Sequence, residues 1–560
     1  MKTRTLIATV VVLVLLSVPS VSAQQEDITI TLLHYTDYHA HAVPFYSEGV
    51  ADVAGIARTI AYLETYADDP NALILSGGDM INKGSPAWSD KYQCAEWSWF
   101  NDLVGAMAFG NHDADYGPEV FAACQAQIDY PILGSNVLDA DGQPLFEYDG
   151  KTYQVFDVGG AKIGVFALVG SDFEGLLKPE TMPAPDVTFA DRVETAQEVV
   201  RALREDEQVD AVVVIGHALY EDDVALAQAV PGIDLIFGTH SHRKETLTPI
   251  PGADTVIISP FQYLTYISKV EFTFSDGELS DVKGELVEMS NDMPQDPEIA
   301  QLVTQMQADL EADPDYAHLF EPIGEAAVEL STEGQFIGEA LLGNFVTDVV
   351  RDAAGAHLAI FTASGFRQPI PPGTILEQDL LTAMPYKNAV FVYDMTGAQV
   401  QELLDFSVSR SESDFFSQVS GVRLNIVDGK VTNVQILDDP ADPAAGYSPL
   451  APAQTYQVAT SNFQGLYAGG YKDIFAPASY VETGLDVWDE VRTFIQANSP
   501  VSAQLDGRIV TGPPAEQPPT TLPATGGSGV APWPLPFVGV LLIALGVLTR
   551  RKVILSDLEE

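Results

Sequence analysis

Cysteine is scarce in this sequence, since only Cys94 and Cys124 occur among 560 residues. This scarcity excludes a scaffold held together by several disulfides. Two cysteines in an exported chain can form one bridge or remain unpaired thiols. The sequence cannot place their Cβ atoms within bonding range, so both alternatives stay open.

Basic residues are also few, 27 against 79 acidic residues, which gives a net charge of −52. Non-specific nucleic-acid binding needs a basic footprint, so we expect no nucleic-acid partner. The negative charge suits a heavily hydrated exterior and would repel an anionic substrate. A site for such a substrate therefore needs local positive charge, such as metal ions.

The start of the chain carries the signature of a secretory signal. Lys2 and Arg4 precede the apolar stretch 6–16, and the small residues Val21-Ser22-Ala23 precede Gln24. A charged start, a short apolar core and a small-residue cleavage site together predict a signal peptide over residues 1–23. We therefore expect an exported protein.

The other end of the chain contains a Pro/Thr-rich spacer, a short motif, an apolar run and a basic cluster. The motif comprises Leu522, Pro523, Thr525 and Gly526, and the apolar run 530–549 approaches the ~20 residues that a bilayer span requires. This order resembles the sortase sorting signal of bacterial cell-wall proteins. The resemblance implies sortase and the cell wall as partners, with Thr525 joined to the wall and membrane contact only before processing. The alternative is a plain C-terminal membrane anchor.

Side chains that can bind metal recur where predicted strands end. The apolar runs 28–33, 71–75, 106–109, 211–215 and 233–237 each indicate a buried strand. Loops at the carboxyl ends of strands carry the chemistry of α/β folds. The side chains that follow these runs are Asp37, His39, Asp79, Asn111, His112, His217, His240 and His242. Because the chain has only nine histidines and five are in this set, coincidence is a poor explanation.

These residues are enough to form two metal sites. Asp, His and His can surround one ion and Asn, His and His another, with Asp79 able to bridge them. Two ions ~3.5–4 Å apart can clamp the attacking and departing oxygens of an in-line phosphoryl displacement. Ligands without thiolate favour two divalent ions such as Zn or Mn, with Mg, Co or Fe as alternatives. We expect His34 and His41 to be supporting or solvated side chains rather than ligands.

The motifs around these residues resemble the 5'-nucleotidase branch of the calcineurin-like metallophosphoesterases. They are Asp37-Tyr38-His39, Gly77-Gly78-Asp79, the segment 110–117, Gly216-His217 and Gly238-Thr239-His240-Ser241-His242. The resemblance implies an α/β fold with a four-layer αββα metallophosphoesterase domain. It assigns Asp37, His39, Asp79 and His242 to one ion, and Asp79, Asn111, His217 and His240 to the other. It also implies that His112, oriented by Asp115, stabilises the transition state or assists the leaving group.

The second half resembles the smaller α+β domain that binds the nucleoside in this family. The matching segments are 342–348, 364–367, 385–388, 419–423 and 462–471. The resemblance implies that a base stacks between Tyr386 and Phe463, with Arg367 and Asn388 as further substrate contacts. Three positions depart from the family pattern: Thr362 replaces Asn, Gly469 replaces Asp and Gly338 replaces Arg. These departures concern substrate specificity more than the chemical step.

The sequence therefore predicts six segments. They are a signal peptide (1–23), a catalytic domain (24–292), a linker helix (293–320), a substrate-binding domain (321–510), a spacer with the sorting motif (511–525) and an anchor with a basic tail (526–560). Residues 88–103 are predicted as one helix within the catalytic domain.

The predicted function is that of a cell-surface, metal-dependent phosphohydrolase, most simply a 5'-nucleotidase that releases phosphate from extracellular nucleotides. The alternatives are a cyclic-nucleotide phosphodiesterase, a UDP-sugar hydrolase or a hydrolase of another small phosphoester. A surface binding protein that has lost activity is the alternative from a different class.

Overall fold

The structure is a computed structural model that describes residues 27–442 and 444–513. The predicted signal peptide lies outside these residues, as does the sorting motif with Leu522, Pro523, Thr525 and Gly526. Within the described ranges, none of the helices has the length and apolar character needed to cross a membrane.

Within the described residues, the predicted catalytic half and the linker after it contain sixteen strands and seven α-helices. The strands are β1 (Ile28–Tyr35), β2 (Phe45–Ser47), β3 (Val50–Val53), β4 (Ala72–Ser76), β5 (Val104–Ala108), β6 (Ile132–Leu133), β7 (Val137–Leu138), β8 (Tyr153–Val158), β9 (Ala161–Phe166), β10 (Thr188–Phe189), β11 (Ala211–Val214), β12 (Leu235–Phe237), β13 (Lys244–Pro249), β14 (Val256–Pro260), β15 (Tyr266–Ser275) and β16 (Glu278–Glu288). The helices are α1 (Ile56–Glu64), α2 (Ala87–Tyr92), α3 (Pro118–Gln125), α4 (Phe173–Leu176), α5 (Arg192–Arg201), α6 (Tyr220–Ala229) and α7 (Pro297–Glu311).

Two six-stranded sheets form the centre of this half. Their strand orders are β16-β15-β1-β4-β5-β6 and β13-β14-β12-β11-β9-β8. Side chains such as Leu32, Leu75, Val213 and Phe237 meet between the sheets in one apolar core. The outer faces pack against helices, among them α1 and α3 on one sheet and α5 and α6 on the other. The predicted four-layer αββα arrangement is therefore confirmed.

The middle strands of both sheets are parallel, and this determines where their loops lie. β1, β4, β5 and β6 pair in parallel, as do β9, β11, β12 and β14. Sequences such as Ala-Val-Val-Val in β11 are buried along their whole length, as strands covered on both faces require. The loops that leave the carboxyl ends of these strands consequently share one edge of each sheet.

The C-terminal half is built on a five-stranded sheet of order β21-β18-β25-β20-β26 and a four-stranded sheet of order β24-β23-β22-β27. Its strands are β17 (Pro322–Ala326), β18 (Leu358–Thr362), β19 (Gly373–Leu376), β20 (Ala389–Thr396), β21 (Ser417–Ser420), β22 (Val422–Val427), β23 (Lys430–Leu437), β24 (Tyr447–Pro449), β25 (Thr455–Ser461), β26 (Ser479–Asp486) and β27 (Ile509–Thr511). Its helices are α8 (Leu341–Ala354), α9 (Glu377–Ala383), α10 (Gly397–Ser409), α11 (Asn462–Leu466), α12 (Tyr471–Phe475) and α13 (Val487–Asn498).

The linker between the halves contains α7, which begins at Pro297 and is capped by Asp296 accepting a hydrogen bond from Ile299 N. Proline is well suited to the first helical turn, and aspartate is a preferred cap. Val303 and Leu310 of α7 are buried in the core of the catalytic half. The helix therefore packs on the domain that precedes it.

Two features near α2 settle questions that the sequence left open or answered wrongly. Cys94 and Cys124 form a disulfide with a Cα–Cα distance of 5.7 Å, which joins the segment after α2 to α3. The single helix predicted over 88–103 is wrong, because α2 ends at Tyr92 and a separate 3-10 turn spans Trp97–Phe100. Gln93 has a left-handed φ of 51°, which an α-helix cannot accommodate.

Candidate active site

The loop after β1 provides Asp37 and His39, which are almost completely buried. The Nδ1–H of His39 donates to the Ile81 carbonyl at 3.4 Å, so its Nε2 is directed to the other side of the ring. That Nε2 lies 3.8 Å from Asp37 Oδ1 and 3.8 Å from Asp79 Oδ2. The loop therefore places an imidazole nitrogen between two carboxylates.

The loop after β4 provides Asp79, which follows two glycines. Gly78 has a φ of 83°, and a Cβ at Gly110 would collide with the Asp79 carboxylate. The absence of a side chain at Gly110 thus lets the loop after β5 approach Asp79 directly. In that position Asp79 Oδ1 accepts a hydrogen bond from His112 N at 2.8 Å.

Asp113 holds these two loops together, a role that its place in the motif 110–117 did not reveal. Its carboxylate accepts hydrogen bonds from Gly110 N at 2.8 Å, Asp79 N at 3.1 Å and Met80 N at 2.7 Å. Burial, with the nearby Asp79 charge, raises the pKa of Asp113 to about 7. A carboxylate that accepts three backbone N–H groups is a means of fixing loop geometry.

The second sheet contributes His217 after β11, and His240 and His242 after β12. His217 Nδ1–H donates to the Gly77 carbonyl at 2.8 Å, and its Nε2 lies 3.1 Å from Asp79 Oδ2. His242 Nε2 lies 3.2 Å from Asp37 Oδ1 and 3.1 Å from His39 Nε2. The edges of the two sheets therefore meet at one cluster of carboxylates and imidazoles.

His240 has a partner that sequence reasoning missed. Its Nε2 lies 3.0 Å from Asp172 Oδ2, and Asp172 belongs to the loop that leaves β9. The same rule that pointed to the other loops could have identified it, because Asp172 also follows a parallel strand of this sheet. No family motif marks the residue.

The backbone at this cluster is strained at several of the proposed ligands. The φ angles are 50° at Asp37, 49° at His39, 53° at Asp79, 56° at His240 and 47° at His242. Residues other than glycine enter this left-handed region infrequently, at a cost of order 1–3 kcal/mol each. Such strain is concentrated at functional sites, which supports the interpretation of this cluster as one.

The cluster has the properties of a divalent-metal site. Asp37, His39 and His242 form one group and Asp79, His217 and His240 a second, with ligand atoms of each group within 4.8 Å of one another. His39, Asp79 and His112 form a third such group that links the other two. Among the described residues, no well-formed hydrogen bond reaches the buried atoms Asp37 Oδ1, Asn111 Oδ1 or His217 Nε2. Buried acceptors that converge without partners are what a bound cation would satisfy.

The electrostatics also favour a cation. Burial acts to lower the pKa of His217, but the Asp79 and Asp37 carboxylates outweigh it and raise the pKa to about 9. Burial acts to raise the pKa of Asp37, but His242 and His217 outweigh it and hold the pKa below its ordinary value. The cluster thus attracts positive charge, as metal ligands must.

His112 and Asp115 form a hydrogen-bonded pair beside the cluster. His112 Nδ1 lies 2.8 Å from Asp115 Oδ2, and the imidazole remains 22% exposed. Burial acts to lower the pKa of His112, but the Asp115 and Asp79 carboxylates outweigh it and raise the pKa to about 10. The two carboxylates therefore favour the protonated imidazole, which can donate a proton or stabilise negative charge.

Arg367 of the C-terminal half contacts the carboxylate and imidazole cluster of the catalytic half. Its guanidinium lies 2.7 Å from His242 Nδ1 and donates to the Tyr386 hydroxyl at 2.8 Å. Arg243, next to His242, in turn donates to the Glu412 carbonyl at 3.0 Å. A cation and an aromatic ring of the second domain are therefore adjacent to the carboxylate and imidazole cluster of the first.

The other two predicted substrate contacts are Asn388 and Phe463, whose backbone hydrogen bonds run to neighbouring segments of the second domain. Asn388 is half-buried, and its backbone bonds run to Tyr386 O at 3.0 Å and from Val487 N at 2.9 Å. Phe463 lies on α11 and remains 36% exposed, similar to the 38% of Tyr386. Both aromatic rings are thus accessible, as a stacking role requires.

His34 and His41 are buried supporting residues. His34 stacks on Phe237 with ring centroids 4.4 Å apart, and His41 stacks on Tyr263 at 3.7 Å. His41 Nδ1–H also donates to the His39 carbonyl at 2.9 Å. The cluster groups contain neither residue.

Comparison with protein families matches both halves of the chain. Residues 30–244 match the model of the calcineurin-like phosphoesterases, and residues 322–476 match that of the 5'-nucleotidase C-terminal domain.

The curated relatives cover most of the chain. The "Trifunctional nucleotide phosphoesterase protein YfkN" of Bacillus subtilis is 29% identical over 86% of this chain, which spans only 35% of that protein. "Protein UshA" of Yersinia enterocolitica is also 29% identical, over 86% of this chain and 94% of its own length.

Among solved structures, the 5'-nucleotidase precursor of Thermus thermophilus is similar with a TM-score of 0.69 and 28% identity, over 86% of this chain and 99% of its own. The Thermus thermophilus sulfate thiohydrolase SoxB is similar in fold, with a TM-score of 0.65 at 17% identity.

The fold and the Asp/His clusters define a two-domain metallophosphoesterase, a hydrolase of phosphoric esters. Its two halves match the models of the calcineurin-like phosphoesterases and of the 5'-nucleotidase C-terminal domain, and the whole chain is similar to a 5'-nucleotidase precursor over 86% of its length.

Proposed function

We propose that this protein is a 5'-nucleotidase that hydrolyses extracellular nucleotides with two divalent metal ions. One observation carries the proposal: two ligand groups meet around Asp79, beside the His112–Asp115 pair, at the point that Arg367 of the second domain reaches. A phosphate ester with a bulky organic group needs both features, a cationic centre for the phosphate and a second surface for the remainder.

The ligand assignment takes two of the groups and adds Asp79 to the first and Asn111 to the second, as the family resemblance implies. Asp37, His39, Asp79 and His242 would hold one ion, and Asp79, Asn111, His217 and His240 the other. Such ions polarise a phosphoryl group and lower the pKa of water toward neutrality, and Zn or Mn suits oxygen and imidazole ligands without thiolate.

The chain's own residues complete the chemistry. His112 carries a proton that Asp115 holds in place, so it can donate a hydrogen bond to a phosphoryl oxygen or protonate the leaving oxygen. Arg367 offers a fixed cation beside the same centre. The accessible rings of Tyr386 and Phe463 would stack on the base, with Asn388 nearby in the same segment as Tyr386.

Broad use of nucleotides, with weak preference among bases, follows from the residues available. Stacking is worth ~1–3 kcal/mol per base and tolerates base identity, because every base has a π-face. Thr362 Oγ1 is bonded to Ser364 Oγ at 2.9 Å, and a Cβ at Gly469 would meet open space, so neither supplies the polar contact expected in the family. Cyclic nucleotides and UDP-sugars are the main alternative substrates.

The test is phosphate release by the metal-reconstituted protein from a panel of 5'-nucleotides, cyclic nucleotides, UDP-sugars and a small chromogenic phosphoester. We expect the 5'-nucleotides to give the highest kcat/KM, and chelation to abolish turnover. A preference for cyclic nucleotides or UDP-sugars would overturn the substrate assignment. Metal binding without hydrolysis of any ester would instead indicate a surface binding protein.

We also propose that the protein is exported and joined to the cell wall through Thr525. The proposal is supported by the order of signal peptide, spacer, motif, apolar run and basic cluster in the sequence. The protein should be released by a wall-digesting enzyme and not by detergent, and deletion of Leu522–Gly526 should reverse this. Release of the intact protein by detergent alone would indicate a membrane anchor.

A further inference from the structure

Asp172 is a carboxylate at the edge of the cluster that the proposed ligand set does not include. It directly precedes the short helix α4, and its Oδ2 lies 3.0 Å from His240 Nε2. The side chains of His240 and Asp172 are 13% and 27% exposed, so both are largely shielded from water.

The other histidines show what is unusual about His240. His39 and His217 each donate Nδ1–H to a backbone carbonyl, that of Ile81 and that of Gly77, and so direct Nε2 toward the cluster. His240 is bonded through Nε2 instead, and to a carboxylate rather than a carbonyl. A neutral imidazole has one N–H, so a proton held on Nε2 leaves the lone pair on Nδ1.

We propose that Asp172 is a positioning residue that accepts the Nε2 proton of His240 and thereby presents the Nδ1 lone pair to the second metal ion. A carboxylate behind a metal-binding histidine fixes its tautomer and ring orientation and raises its basicity as a ligand. The proposal rests on the two-metal site of the proposed function.

The position of Asp172 relative to the second group supports positioning rather than direct ligation. Asp79, His217 and His240 bring their ligand atoms within 4.8 Å of one another, and among the described residues Asp172 does not join this group. Asp172 therefore contacts a member of this group, His240, without being a member itself, as expected of a residue that orients a ligand.

The loop that carries Asp172 is held firmly against the ligand loops. Gly170 N donates to the His217 carbonyl at 2.8 Å, and Ser171 N donates to Asp222 Oδ2 at 2.8 Å. Asp222 is itself bonded to Arg192 at 3.3 Å. A carboxylate can orient a histidine only if its own backbone is fixed, and these contacts supply that condition.

Two variants of Asp172 separate its possible roles, with Asp222→Asn as the matched control. Asp172→Ala removes the acceptor, whereas Asp172→Asn keeps an amide oxygen that can still accept the Nε2 proton. Asp222→Asn removes a nearby negative charge but keeps an amide oxygen that can accept the Ser171 N–H, so the loop, Asp172 and His240 stay in place. Calorimetric titration of the metal-free full chain with Mn²⁺ gives the affinity of each ion, and the absorption spectrum of the Co²⁺ form reports the ligand field.

We expect Asp172→Ala to weaken the second Mn²⁺ by about 10–100-fold while the first is unchanged, as is typical when an outer partner of a metal ligand is lost. Asp172→Asn should retain most of the affinity, and Asp222→Asn should match the wild type. The Co²⁺ spectrum should change in Asp172→Ala and be recovered largely in Asp172→Asn.

Two results would overturn the positioning role. Unchanged affinity for both ions in Asp172→Ala would show that His240 needs no such partner, and equal loss of the second ion in both variants would show that Asp172 is a ligand. Should Asp172→Ala fail to fold, the comparison of Asp172→Asn with Asp222→Asn still decides: equal and native affinities with a native Co²⁺ spectrum agree with positioning, and loss confined to Asp172→Asn contradicts it. A wild type that binds fewer than two ions would refute the proposed function itself.

Discussion

The two domains position their functional side chains by different means. In the catalytic domain, every proposed ligand follows a parallel strand within a few residues, so two sheets fix where the ligands lie. In the C-terminal domain, Arg367 follows a 3-10 turn, Tyr386 lies in an irregular segment after α9, and Phe463 lies on the short helix α11. In the catalytic domain the positions of the proposed ligands are therefore fixed by the sheets. In the C-terminal domain the proposed substrate contacts depend on connecting segments, which tolerate variation.

The largest effect should come from Asp79→Ala, since Asp79 lies close to ligands of both groups. We expect hydrolysis of every substrate to fall by roughly 10³-fold or more, because metal ions supply several kcal/mol of transition-state stabilisation. His39→Ala and His217→Ala should each lose less, because the proposal assigns each of them to a single ion. Rates and metal content measured on the same preparations would check this, and an Asp79→Ala enzyme with two ions and native turnover would contradict it.

His112→Ala should come next, with kcat lowered by about 10²–10⁴-fold while both metal ions stay bound. The reason is that His112 faces the reacting centre with its proton held by Asp115, outside the ligand groups of the proposal. Asp115→Asn should show a smaller loss in the same direction. Steady-state kinetics with metal analysis test the prediction, and loss of metal from His112→Ala would make His112 a ligand.

Phe463→Ala tests whether the C-terminal domain contributes substrate binding rather than the chemical step. We expect KM for nucleotides to rise roughly 5–100-fold, since stacking is worth ~1–3 kcal/mol per base, while a small chromogenic phosphoester is hydrolysed as before. Tyr480→Ala is the control, because Tyr480 is a similarly accessible ring, 45% exposed, on β26. If both substrates suffered equally from Phe463→Ala, the division of labour between the domains would not hold.

The last expected effect concerns stability rather than activity, and it lies within the catalytic domain. Glu96 is buried, and its Oε1 accepts hydrogen bonds from Tyr38 at 3.0 Å and Trp88 at 2.7 Å. Burial raises the pKa of Glu96 to about 7, so its contribution to stability is present at low pH and is lost as pH rises toward 7. Glu96→Gln keeps an acceptor and cannot ionise.

We therefore expect Glu96→Gln to unfold like the wild type near pH 4 and to be more stable by roughly 3 kcal/mol at pH 8. Denaturant unfolding at both values measures the difference. A variant that is less stable at pH 8 would show that the ionised carboxylate is accommodated after all.

Residue patterns revealed the catalytic half well because its ligands are adjacent to strands in the chain. Asp37, Asp79, His217 and His242 could be paired with apolar runs before any coordinates were known. Asp172 also follows a strand of this sheet, but its role depends on a contact with a residue 68 positions away, which the strand pattern alone does not show.

Other features depend on three-dimensional placement in the same way. The Cys94–Cys124 bridge required the Cα positions of two separate helical segments. The break in the predicted helix 88–103 depended on one left-handed residue, Gln93, whose type gives no warning. The contact of Arg367 with His242 joins two domains, and a pattern within either domain cannot reveal it.

The left-handed backbone at Asp37, His39, Asp79, His240 and His242 has a consequence for protein engineering. A designer who transferred only these side chains to an idealised αββα scaffold would place them on conformations that point elsewhere. Gly78, Gly110 and Asp113, whose carboxylate accepts backbone hydrogen bonds from both loops, would have to be transferred with them. The unit that can be transferred is thus the set of hydrogen-bonded loops at the carboxyl ends of the strands. The sheets that carry these loops could be exchanged more readily than the loops themselves.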